Sequence, residues 1–167
     1  MKLYVNQSLT SADSLARVVI DMTQQNVELV TVTDEYRKTP GYKALSTTDK
    51  LPLFVCPEGT LHESTAIAKY FCNIAGGKML GSSPVERSQV DQWIAFMNTS
   101  IFQHYCTIFF PIFGEKPDTA ANFNEAVKEL KAKVKIIDGA LKDKQWLVGN
   151  DMTIADVAVA NILLNMF

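Results

Sequence analysis

Short apolar runs and stretches of helically spaced apolar residues alternate in the first part of the chain, and helical spacing dominates the rest. Lys2 to Val5 is a short apolar run that predicts a strand, and Leu15, Val18, Val19 and Met22 then recur at helical spacing. Between them lies the polar segment NQSLTSADS, where Thr10 or Ser11 can cap the helix. VELVTV, Val27 to Val32, reads as a buried β-branched strand. A β-α-β order of this kind favours a right-handed parallel crossover. KTPGYKAL follows as an irregular or short helical link. Leu53 to Val55 and Thr60 to His62 then bracket the turn Cys56-Pro57-Glu58-Gly59 as an antiparallel hairpin. Thr65 to Asn73 carries Ile67, Ala68, Phe71 and Cys72 on one helical face. Pro52 has no N–H to give a ladder, so it belongs at a strand start or edge.

AGGKMLGSS, Ala75 to Ser83, is rich in glycine and serine and reads as a linker. The expected organisation is therefore a domain over 1–75, a linker over 76–83 and a helical domain over 84–167. Ser83-Pro84-Val85-Glu86 has the form of a capping box with proline at the first helical position. The helix it starts should turn Val85, Val90, Trp93, Ile94, Phe96, Met97 and Ile101 inward or toward a partner. Asn122-Phe123-Asn124-Glu125 repeats that start signal. Phe123, Val127, Leu130, Val134, Ile137 and Leu141 follow it at an unbroken helical rhythm. Trp146-Leu147-Val148-Gly149 interrupts, and Thr153-Ile154-Ala155-Asp156 forms a third box, in which Thr153 and Asp156 are structural caps.

Composition narrows the function classes. A net charge of -2 gives no electrostatic footprint for nucleic acid, and Lys128, Lys131, Lys133 and Lys135, near Glu125 and Glu129, read as the wet face of a helix. Cys56, Cys72 and Cys106 make no C-x-x-C pair, and an odd count argues against a disulfide framework; apolar neighbours suggest three buried, inert thiols. His62 and His104 lack ligand spacing, so no metal site is expected. No apolar run has the length of a signal sequence or membrane span. A reducing, cytoplasmic setting without membrane or direct nucleic-acid contact is expected.

Four segments carry a family resemblance: Leu51-Pro52, Glu63-Ser64-Thr65-Ala66-Ile67, the capping box ahead of Trp93, and LVGNDMTIADV, Leu147 to Val157. Together they are similar to the glutathione transferase superfamily, whose fold is an α/β thioredoxin-like N-terminal domain, a linker and an all-α C-terminal domain. Within it, SQVDQWIAFMNTSI and FFPIFG resemble the transferase-like domain of the elongation factor 1-gamma branch. Against that family's pattern the chain would be C-terminally truncated, with Phe167 falling inside the helix expected after Thr153, or the missing surface would be supplied by something else. Ile162, Leu163, Met166 and Phe167 would then form an exposed apolar patch unless something covers them.

The resemblance implies a cis peptide at Leu51-Pro52, with the Leu51 main chain free to pair with an extended tripeptide. It implies that Ser64, Thr65 and the helix amides take the γ-glutamyl carboxylate of glutathione, and that Glu63 takes the ammonium. The thiol would be activated by a hydroxyl after the first strand, at Ser8, with Thr10 and Ser11 as alternatives; a hydroxyl in such a loop is more often a turn or cap residue. Tyr4 lies inside the strand and reads as core. No cysteine occurs in that loop, which disfavours thiol-transfer chemistry. Phe102, Tyr105, Phe109 and Phe110 would line an electrophile cleft or belong to the core. Three functions follow from the resemblance. The first is a scaffold that anchors nucleotide-exchange subunits in translation elongation. The second is an active glutathione transferase acting on small electrophiles, and the third is a docking module in a multi-synthetase assembly. The family also implies a homodimer or pairing with other transferase-like domains, and glutathione as ligand or substrate with no permanently bound cofactor.

Overall fold

A computed structural model describes residues 1–7, 11–112 and 120–166. The chain divides into two compact units, one of residues 1–80 with the residues from Ala160 on, the other of residues 81–159. The second boundary differs from the expected 84–167, since the division falls within the last helix.

The first unit is a four-stranded sheet in the order β2-β1-β3-β4. β1 (Lys2–Val5) pairs parallel with β2 (Glu28–Thr31) and antiparallel with β3 (Leu53–Cys56). A parallel pair needs a crossover, which α1 (Ser11–Met22) supplies. β4 (Gly59–His62) returns antiparallel to β3 across a two-residue loop, Pro57-Glu58, closed by the Cys56–Gly59 pair. Alternation sends Leu3 and Phe54 to the face where α4 (Ser64–Ile74) packs, and the Phe54 ring meets Phe71 edge-on at 4.9 Å. Tyr4, Val32 and Leu53 face the other way onto Tyr42 of α3 (Pro40–Leu45). Tyr36 of α2 (Asp34–Arg37) closes that cluster, its ring 5.7 Å from that of Tyr42.

Two expectations fail here. β2 is an edge strand and not a buried one: Leu29 is 48 % exposed, and only Val32, beyond the strand, is buried. β1 holds the centre, so β2 has one neighbour and one covered face. In α1 the buried set is Leu15, Ala16, Val19 and Ile20, whereas Val18 and Met22 are 41 % and 39 % exposed. Ala16 has no bulk to announce itself in a hydrophobic pattern, and it centres the face that meets α4. The α4 set, Ile67, Ala68, Phe71 and Cys72, is buried as the spacing required.

In the second unit α5 (Pro84–Phe96) starts at the Ser83 cap, whose hydroxyl accepts the Glu86 N–H at 3.3 Å. The carboxylate departs from the box pattern. Glu86 Oε2 accepts from the hydroxyl and, at 2.7 Å, the N–H of Ser82, one residue further out. Those two bonds, the hydroxyl's first, hold the Glu86 carboxyl below the usual carboxylate range. Gly149, at φ +65°, leaves room for it: a Cβ there would lie 3.2 Å from Glu86 Oε1. Val85, expected inward or toward a partner, is 63 % exposed; Val90, Ile94, Met97 and Ile101 form the buried stripe.

The helix does not stop at Phe96. It passes through a π turn, Met97–Ile101, closed by the Phe102 N–H on the Met97 carbonyl, into α6 (Phe102–Ile112). Thr99, whose hydroxyl donates to the Ala95 carbonyl at 2.8 Å, competes for the ladder just where it widens. α7 (Ala120–Leu141) already runs at Asn122, so Asn122-Phe123-Asn124-Glu125 is not its start. Ala120 and Ala121, strong helix formers, carry the helix past the apparent cap. Its inward residues are Ala126, Leu130 and Ile137, with Phe123, Val127, Val134 and Leu141 half-buried.

α8 (Ile154–Leu163) is tied by one carboxylate. Asp156 Oδ2 accepts the Thr153 N–H at 2.8 Å and its hydroxyl at 3.0 Å, while Oδ1 accepts the Leu147 N–H at 2.8 Å. The cap therefore also anchors the loop carrying buried Leu147 and Val148. Asp156→Ala should cost about 2 kcal/mol, because it strands part-buried donors as well as the helix cap. Urea unfolding of wild type and variant measures this; an unchanged midpoint would show that the cap is dispensable.

Candidate functional site

The strand register gathers the candidate residues at one end of the sheet. Leu53 pairs with Tyr4 on one side and His62 on the other, and these are the last ladder pairs at that end. The chain just beyond each pair therefore meets its neighbours about 4.8 Å apart. Beyond Leu53 lie Pro52 and Leu51, beyond His62 lie Glu63 and Ser64, and beyond Tyr4 lie Val5 and the loop after β1.

The Leu51-Pro52 peptide is cis, as the resemblance implied. Pro52 is buried, and half-buried Leu51 packs on the tyrosine cluster. Since β3 begins at Leu53, the Leu51 N–H and C=O stand outside the ladder.

Glu63 alone turns the chain from β4 into α4. That corner needs an unusual backbone, and Glu63 has φ 71°, ψ 116°, a region costing a non-glycine residue about 1–3 kcal/mol. Its side chain is exposed and makes no cap hydrogen bond. The first amides of α4, from half-buried Ser64 and Thr65 onward, thus have no side-chain cap at the Glu63 position, and the helix dipole favours an anion there.

Ser8 and Thr10 lie outside the described residues, and Ser11 is the first residue of α1. The loop is held from the helix side by Asp13. This carboxylate is 1 % exposed, and its Oδ2 accepts the Asn6 N–H at 3.3 Å and the Asn6 side-chain amide at 3.0 Å. Sequence reasoning passed over Asp13. The available signal was a carboxylate in the first turn of α1, on an otherwise apolar helix face.

A second omission is a cavity of ≈480 Å³ lined by Asp34, Arg37, Lys38, Lys43 and Asp49. Arg37 crosses it to Asp49, with Nε 3.5 Å from Oδ1 and Nη2 donating to the Asp49 carbonyl. Its three cations against two carboxylates lie close in sequence to Leu51. Lys38 and Lys43 carried part of that charge in the sequence, inside the segment KTPGYKAL that was read only as a link.

The remaining candidates separate. Cys72 is buried, and desolvation pushes its thiol up to about 11. Cys56 and Cys106 are only half-buried, contrary to expectation; Cys56 Sγ donates to the Gly59 carbonyl at 3.3 Å across the hairpin end. Phe102, Tyr105 and Phe109 stack in one row, with centroids 6.1 and 4.8 Å apart, and Tyr105 is core. Ile162 is buried and Leu163 and Met166 half-buried, so the described residues of the expected patch are covered at least in part, while their neighbour Leu164 is exposed; Phe167 lies outside the described residues. Among the described residues no group of three His, Cys, Asp or Glu side chains could hold a metal, and no helix is long and apolar enough to cross a membrane.

A thioredoxin-like sheet with a cis proline facing an uncapped helix start, followed in the chain by an all-helical unit, defines the glutathione transferase fold. Comparison with known proteins agrees. Residues 14–79 match the family model "Glutathione S-transferase, N-terminal domain", and residues 101–167 match "Glutathione S-transferase, C-terminal domain". The chain belongs to the glutathione transferase superfamily. It is 34 % identical over 129 residues to a probable elongation factor 1-gamma 1 of Arabidopsis thaliana, covering 76 % of this chain and 31 % of that protein. It is 31 % identical over 142 residues to glutathione S-transferase stcT of Emericella nidulans, covering 84 % of this chain and 65 % of that one. The chain thus spans about a third of the elongation-factor relative. The theta-class glutathione S-transferase of Xanthomonas axonopodis pv. citri, solved with glutathione bound, superposes with a TM-score of 0.87. That match covers 99 % of this chain and 82 % of that one at 18 % identity, and it shows a shared fold.

Because Cys72 is 1 % exposed and its thiolate disfavoured, a thiol reagent at neutral pH should label Cys56 and Cys106 first. Cys72 should follow much more slowly, which mass spectrometry of timed samples reads. Labelling of Cys72 as fast as Cys56 would mean that this part of the core opens freely.

Proposed function

We propose that this chain is the transferase-like module of an elongation factor 1-gamma subunit, in a cytoplasmic setting. In this role it anchors nucleotide-exchange subunits by protein contact while keeping a groove for glutathione. The observation that carries the reading is the 34 % identity to an elongation factor 1-gamma relative over 129 residues. The geometry supports the groove. An extended thiol tripeptide would pair with the free Leu51 main chain, its γ-glutamyl carboxylate at the Ser64 hydroxyl and the α4 amides and its ammonium toward Glu63. Arg37 and Lys38 offer charge for the far carboxylate. Strain held at Glu63 is of the kind stored at binding sites.

A second reading, a working transferase, is favoured by the similarity to glutathione S-transferase stcT. It requires a hydroxyl after β1, at Ser8, to hydrogen-bond the glutathione thiolate and lower its pKa.

One experiment separates them. Affinity purification of the full-length protein should bring down nucleotide-exchange subunits, equally with wild type and Ser64→Ala. Retention on immobilised glutathione should fall about tenfold in Ser64→Ala, the worth of one charge-assisted hydrogen bond of about 1.4 kcal/mol. Turnover of a chlorinated nitrobenzene that vanishes in Ser8→Ala, with no exchange subunit recovered, would replace the scaffold with the enzyme.

A further inference from the structure

Three sulfur side chains line one small cavity at the opposite ends of α1 and α4 from the proposed groove. Met22 closes α1, Cys72 lies near the end of α4, and Met79 sits in the 3-10 turn Lys78–Leu80. Packing of α4 against both α1 and that turn brings them to a cavity of ≈250 Å³, with Thr23, Gln24 and Lys78 at its wall. Cys72 forms its floor at 1 % exposure, and exposed Met22 stands at its mouth.

We propose that Met22, Cys72 and Met79 bind a soft monovalent cation, the cuprous ion, as one thiolate and two thioethers. Ligand type carries the choice. Thiolate and thioether sulfur select Cu(I), while hard cations need oxygen, and no carboxylate or imidazole is among the described residues of the wall. The local field also suits a cation. α1 ends with the Gln25 N–H on the Ile20 carbonyl at 3.1 Å, and α4 with the Gly77 N–H on the Cys72 carbonyl at 2.8 Å. Both helices therefore direct their negative ends here. Lys78, at the wall, is exposed to solvent.

Binding is an exchange without electron transfer. The Cys72 S–H bond breaks, a Cu–S bond forms, the proton leaves to water and copper stays monovalent. The high thiol pKa keeps the proton in place until a metal displaces it.

The test uses the reduced protein with Cys56→Ser and Cys106→Ser, without oxygen, against Cu(I) held by bicinchoninate. This protein should withdraw one Cu(I) per chain from the coloured chelate, and its thermal unfolding midpoint should rise as copper binds. Adding Cys72→Ala should abolish the withdrawal. Adding Met22→Leu and Met79→Leu, which keep the volume and the thiol, should weaken it at least tenfold. Withdrawal that survives Cys72→Ala, or that is unchanged in the leucine variant, overturns the site, as does no withdrawal at all.

Discussion

The antiparallel pairing of β1 with β3 is the constraint on which the first unit depends. Because Tyr4 sits opposite Leu53, and Leu53 opposite His62, three separate chain segments leave the sheet at one level. A slip of β3 by one residue against β1 would turn Leu53 to the α4 face and Phe54 to the tyrosine face while Leu3 and Tyr4 stayed in place, mismatching both sets. Core packing therefore fixes the register, and the register fixes where Leu51, Glu63 and the loop after β1 meet. The groove inherits its geometry from side chains that never touch a ligand.

The helical unit is organised differently, by carboxylates at helix starts. Glu86 and Asp156 each serve main-chain donors outside their own helix, Ser82 in one case and Leu147 in the other. Each bond is modest, yet each joins a helix to the segment that enters or precedes it, so the caps fix chain direction as well as helix length. Gly149 completes the first of them by presenting no side chain to Glu86.

Much of this was legible in the sequence because it rests on local chemistry. The hairpin, the α4 face and the Thr153 box each follow from a few adjacent residues, whereas the cis peptide came from the family resemblance. What escaped depends on partners distant in sequence. β2 lies at an edge only because β3 pairs with β1, and Ala16 is core only because α4 lies over it. Asn122 mimics a cap that Ala120 and Ala121 override. Asp13 and Arg37 were missed for a related reason, since a lone charge shows its use only when the acceptor or donor it faces is known.

The widened turn at Met97–Ile101 has a further consequence. One surplus residue in a helix advances everything after it by roughly 100° about the axis. Were the same residues wound as an uninterrupted α-helix, the row of Phe102, Tyr105 and Phe109 would start from a different azimuth relative to Val90 and Ile94. The bulge acts as a phase shifter: it re-aims the face of α6 relative to that of α5 along one continuous rod.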